Sequence, residues 1–139
     1  MKATESLFER GKRVAAWCSI VAIGILSLLP AAEVAPMRTS LGGHVEHLLA
    51  YAATTVITAI AYADRSRFKI AFSLILYAAA LEYLQRYSPG RLSSLEDLTF
   101  SATGVMLGVA TVQVLRQFRE RQTTGSPTQY ATSDLESRS

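Results

Sequence analysis

The chain has 139 residues, 50% of them hydrophobic and 18% charged, with a net charge of +3, which is room for one domain. A lone cysteine, Cys18, excludes an internal disulfide. Most of the apolar content lies between residues 14 and 116 and the basic charge lies largely in the flanks, so no soluble domain remains to display a basic patch to nucleic acid.

Residues 1–13 carry Lys2, Arg10, Lys12 and Arg13 and read as a basic cytoplasmic N-terminus. The first apolar run, Val14 to Pro30, contains no charge. The second is Val45 to Ala63, the third Phe68 to Tyr87 and the fourth Asp97 to Arg116, and each has about 17 to 20 residues. At roughly 1.5 Å of rise per residue, about 20 residues cross a hydrocarbon layer of roughly 30 Å. A soluble bundle would carry a charged stripe along each surface helix, and Ala15 to Leu29 and Thr99 to Val112 have none. The first run is long for a secretory signal, and cleavage after Ala32 or Ala31 would place Pro30 or Leu29 where a small residue is wanted; it is expected to remain as a span. The expectation is therefore an all-α integral membrane bundle of four transmembrane helices over residues 14–116, in the inner (plasma) membrane. The tail, 117–139, is rich in Thr, Ser, Gly and Gln from Gln122 onward and is expected to be disordered.

Orientation follows from the connections. With the N-terminus inside, eleven of the fourteen Lys and Arg fall on the cytoplasmic side, and only Arg38, Arg86 and Arg91 fall outside. That asymmetry places both termini in the cytoplasm. Trp17, Tyr62 and Tyr87 lie near run ends, where amphipathic rings favour the interface.

Helical spacing aligns the polar groups. His44, His47, Tyr51, Thr54 or Thr55, and Thr58 form one stripe; Ala71, Ile75, Ala78, Glu82 and Gln85 a second; Asp97, Ser101, Gly104 and Gly108 a third. Polar groups facing lipid are costly, so the stripes should face each other. The Gly104 to Gly108 spacing lets a helix backbone come close, within the chain or between chains, so a homo-oligomer is among the expected assemblies. The result is a shallow outer pocket. Glu82 lies five residues before Tyr87, roughly 7 to 8 Å below the helix end, a depth that suits work on headgroups better than transport.

The segments EHLLAYA, ALEYLQRYSPGR and SSLEDLTFSATGVMLG resemble the membrane domain of the VanZ-like family: H-x-x-x-Y opening one span, E-x-x-Q closing the next, a loop Arg, and an Asp opening a Gly-rich last span. The resemblance covers roughly residues 40 to 110. It implies a small polytopic membrane protein whose namesake is linked to low-level teicoplanin resistance, and it carries over onto His47 and Tyr51, Glu82 and Gln85, Arg91 and Asp97. Many relatives have Asp-Lys where this chain has Gly43 and His44, and Asn where it has Ser101.

Each group has a chemical reading and a plainer one. Glu82 must pair, with His47 or Arg91, or stay protonated; with His47 it is the candidate acid and base of catalysis. Tyr51 and Gln85 orient these groups or bind. Arg91 is either solvated or clamps a phosphate or carboxylate, and Asp97 caps a helix start or binds. Ser101, Gly104 and Gly108 pack, and His44 is exposed and incidental. No cofactor is expected and no metal, since no H-E-x-x-H spacing occurs; phosphate-binding Gly loop, nucleophile elbow and repeat are also lacking. The expected partners are membrane lipids and a lipid-linked envelope precursor or acylated glycopeptide, bound without chemistry. The alternative is a membrane enzyme acting on a phosphorylated or glycosylated lipid headgroup.

Overall fold

A computed structural model describes residues 2–37, 42–91 and 93–124. All regular structure among them is helical. The elements are α1 (Lys2–Leu28), α2 (Ala31–Val34), α3 (Gly43–Ala61), α4 (Arg67–Leu84) and α5 (Leu95–Thr124), with single 3-10 turns at Ala35–Met37 and Gln85–Tyr87. Arg38 and residues 125–139 of the expected tail lie outside the described residues.

Stretches of α1, α4 and α5 are each long and apolar enough to cross a membrane. Their outer faces suit lipid. Val21 and Ile25 on α1, Phe72 and Leu76 on α4, and Met106 and Leu107 on α5 are all exposed, a coat that a water-facing bundle would hide. Thr99, Thr103 and Thr111, exposed on α5, each donate to the carbonyl four residues earlier, which satisfies a hydroxyl without water.

The fourth long helix, α3, carries polar side chains along one face, and the packing explains how they are accommodated. It shares its largest interface with α5 and also touches α1 and α4, and Tyr51, Thr54, Thr55 and Thr58 are buried. Thr55 donates to Tyr51 O at 2.7 Å. α3 and α5 run parallel in one register: His44 meets Asp97, His47 meets Ser101, and Ala63, just beyond α3, meets Arg116. Glycines close this seam. A Cβ on Gly108 would sit 2.6 Å from Thr55 Cβ and 2.7 Å from Ala52 O, and one on Gly104 would fall on the Leu48 carbonyl.

One correction to the sequence-based expectation and one addition to it arise. α5 does not stop near Arg116 but continues to Thr124, so residues 117–124 are helix and not disordered tail; Gln117, Arg119, Glu120, Arg121 and Gln122 are good helix formers. α1 likewise starts at Lys2, so the basic N-terminus is helical.

The bundle has two chemically different ends. At one, Arg13 lies over the Tyr62 ring, Trp17 Nε1 donates to Tyr62 Oη at 3.0 Å, and Arg116 donates to Ala63 O; this is the basic end. His44, Glu46, His47, Glu82, Arg91 and Asp97 gather at the other.

Candidate functional site

The opposite end is built around a turn. Ser88-Pro89-Gly90-Arg91 has Pro and a positive-φ Gly (φ 74°) at its centre, and Arg91 N–H donates to Ser88 O at 3.1 Å, the residue pattern of a type II turn. Pro30 ends α1 and leaves the last carbonyls of that helix without intrahelical partners. The turn supplies donors for them. Ser88 Oγ donates to Leu28 O at 2.7 Å, Arg91 Nη2 to Leu26 O at 2.7 Å and Arg91 Nε to Leu29 O at 3.2 Å. In return Ala31 N–H donates to Pro89 O at 3.2 Å. Arg91 is thus a clamp on the end of α1.

Glu82 serves a second helix terminus. Buried at 7% exposure, its carboxylate accepts the backbone N–H of Ser94. Ser94 is the N-cap of α5, its Oγ accepting Glu96 N–H at 3.1 Å. Within a helix a capping box uses a Glu three residues on for the N-cap N–H; here a neighbouring helix provides it. Gln85, one turn further, is also buried.

Asp97 pairs with a residue read from the sequence as incidental. His44 Nδ1 and Asp97 Oδ1 are 2.7 Å apart, His44 Nε2 lies 3.5 Å from Glu96 Oε2, and the imidazole stacks on Phe100 at 5.1 Å. The signal for it was present: His44 and His47 share a face, as do Asp97 and Ser101. His47 Nδ1 lies 3.4 Å from Ser101 Oγ, and Ser101 is buried at 2% exposure.

A cavity of about 160 Å³ opens beside these helix ends, with Arg91, His47, Glu46 and Tyr51 as its polar walls and Leu26 and Val34 among its apolar ones. It lies between α1, α2 and α3. The glycine contacts close α3 on α5, and this cavity lies on the α1 side of α3 and not between the second, third and fourth spans. The structure therefore brings His47, Tyr51 and Arg91 to one cavity and leaves Glu82, Gln85, Asp97, Ser101, Gly104 and Gly108 outside its lining. Glu46 and Ser27 line it too and were not singled out from the sequence. Gly43, Glu46, His47 and Ala50 recur at helical spacing, a stripe that adjoins the one chosen. Among the described residues no three His, Cys, Asp or Glu side chains are grouped as a metal ion would need.

No family model, curated protein or solved structure matches this chain.

Proposed function

We propose that this chain is a VanZ-like protein of the plasma membrane with four spans and both termini cytoplasmic, and that the cavity at its extracytoplasmic end binds the phosphorylated headgroup of an envelope lipid or lipid-linked precursor. The observation that carries the reading is the cavity itself, where one guanidinium, one imidazole and one phenol meet beside an apolar wall, with the Glu46 carboxylate the one acid among its described lining residues. An Arg, a His and a Tyr present donors to phosphate oxygens. Ser27, Ile23 and Leu26 on the α1 side leave the apolar part of a lipid beside the span.

Size narrows the ligand. Drug-sized ligands occupy roughly 300 to 1,000 Å³, so about 160 Å³ favours a compact phosphate group over a glycopeptide antibiotic. Binding is preferred to catalysis because Glu82, the candidate acid, caps α5 from outside the cavity lining. α3 counts as the fourth span in this reading: at about 1.5 Å per residue, its 19 residues reach roughly as far as a hydrocarbon layer, and its polar face is turned into the bundle.

Two measurements test these claims separately. For topology, Tyr87→Cys and Ser66→Cys are each placed in a Cys18→Ser background. A membrane-impermeant maleimide should label the first in intact cells and the second only after permeabilisation; the reverse pattern sinks the orientation, and equal labelling sinks the span count. For ligand binding, native mass spectrometry of the detergent-purified chain should show a co-purified phosphorylated lipid. Ala50→Leu, which fills the cavity, should lower its occupancy by about tenfold, the equivalent of ~1.4 kcal/mol, without changing the melting temperature, and His47→Ala should lower it by a similar factor. Unchanged occupancy in both variants would rule the cavity out as the binding site.

A further inference from the structure

The basic end of the bundle contains a second site, unrelated to the cavity at the other end. α1 and α4 are joined where Tyr77 Oη donates to Ile20 O at 2.9 Å, beside Gly24. Toward the basic end they leave a crevice of about 370 Å³ against α3. Its inner wall is apolar, made by Ile20, Ile70 and Leu74, while Arg65 and Lys69 stand at its charged rim. Trp17 and Ser73, also in its lining, are exposed on the flank of the bundle, next to the exposed Phe72. A ligand reaching this site therefore approaches from the lipid-facing side.

Two hydroxyls in the same lining have unspent donors. Thr58 Oγ1 is buried with no hydrogen-bond partner among the described residues. Tyr62 Oη accepts from Trp17 Nε1, and its own proton has no acceptor among the described residues. A buried polar group left unmatched is costly, so Thr58 calls for an acceptor, while the half-buried Tyr62 hydroxyl has a proton to offer. The local charge is also one-sided: Arg65 and Lys69 line the crevice, which has no acid among its described lining residues, and Arg13 lies over the Tyr62 ring, while Asp64 lies 3.5 Å from Arg65 Nε in a pair exposed by about 70% on each side. Such a pair is weak and readily exchanged. The site thus asks for a ligand with an anionic head, further acceptors and no donors of its own near the threonine, and an apolar tail.

We propose that this crevice binds one anionic glycerophospholipid from the leaflet at the basic end. Its phosphate lies against Arg65 and Lys69, with the Tyr62 hydroxyl donating to it. An ester carbonyl accepts from Thr58, one helical turn deeper, about 6 Å at the standard rise. An acyl chain follows Ile20, Ile70 and Leu74. Basic pockets between transmembrane helices are suited to such headgroups, and the apolar wall commits the site to a lipid in place of free phosphate.

The test uses the full chain in detergent, titrated with phosphatidylglycerol, phosphatidylcholine or glycerol 3-phosphate and followed by native mass spectrometry. Phosphatidylglycerol should bind at least about tenfold more tightly than either comparator, and the double change Arg65→Gln with Lys69→Gln should remove most of that preference. Removing two exposed charges from α5, Arg119→Gln with Arg121→Gln, should change affinity by less than about twofold. Thr58→Val should weaken the lipid about threefold while leaving glycerol 3-phosphate unaffected. Equal losses in the two double variants overturn the proposal, because attraction would then be a property of the whole basic end. So does phosphatidylcholine binding as well as phosphatidylglycerol, or glycerol 3-phosphate competing as strongly as the lipid. An unchanged lipid affinity in Thr58→Val overturns the ester contact.

Discussion

Gly104→Ala should destabilise the detergent-solubilised bundle by ~3 kcal/mol or more, the upper end of what overpacking costs. The added Cβ would collide with the Leu48 carbonyl oxygen and approach Leu48 C at 3.0 Å. These are backbone atoms of the most enclosed helix, so no side chain can rotate to relieve the clash. α3 and α5 would have to separate. Because their shared register also pairs His44 with Asp97 and His47 with Ser101, separation would loosen the opposite end as well. Gly108→Ala should behave similarly, its Cβ meeting Thr55 and Ala52. Gly11 is the matched control: helical, exposed, with nothing within 4 Å of an added Cβ, so Gly11→Ala should be neutral or stabilise by up to ~1 kcal/mol. Thermal unfolding followed by Trp17 fluorescence decides the matter. A Gly104→Ala melting temperature equal to wild type would mean that the seam is looser than described.

Glu82→Leu should cost about 2 to 3 kcal/mol, whereas Glu82→Gln should cost less than ~1 kcal/mol. Leucine fills the space but leaves the Ser94 N–H at the start of α5 without its acceptor. Glutamine keeps an oxygen in the same place and exchanges a charge-assisted bond for a neutral one. The pair of variants separates the structural role from the catalytic one. If both melt together well below wild type, charge at Glu82 matters beyond capping. If Glu82→Gln is as stable as wild type while the envelope lipids of cells expressing it differ from those of wild type in mass, Glu82 takes part in chemistry and the binding reading gives way to the enzymatic one. Profiles that match leave it a capping residue.

How far these features were legible in the sequence depends on the range of the interactions behind them. The four long helices could be read because each is announced locally: an apolar run of sufficient length, ended by Pro30, by the Ala63 to Ser66 stretch and by Ser88-Pro89-Gly90. The faces were legible for the same reason. Tyr51, Thr54, Thr55, Ala71, Ala78, Glu82 and Ser101 are buried at positions that helical periodicity assigns to the inside. The end of α5 was misjudged because amino-acid composition describes a segment in isolation, whereas residues 117–124 extend a helix already nucleated by the packed span before them, and propagation costs far less than nucleation.

Local sequence determined an all-helical chain with lipid-compatible outer faces, polar inner faces and charge segregated between its ends: run length announces the helices, residues three or four apart set their faces, and the Lys and Arg of the connections set the charge. The tertiary structure decided the use of each polar group. Arg91 turned to the carbonyls of α1, Glu82 to the N-cap of α5 and Asp97 to His44, partners 12 to 65 residues away in sequence that come within reach only when the helices pack; the glycine seam sets the register of α3 on α5 that brings Asp97 to His44. The cavity lies on the α1 side of α3, where His47, Tyr51 and Arg91 meet.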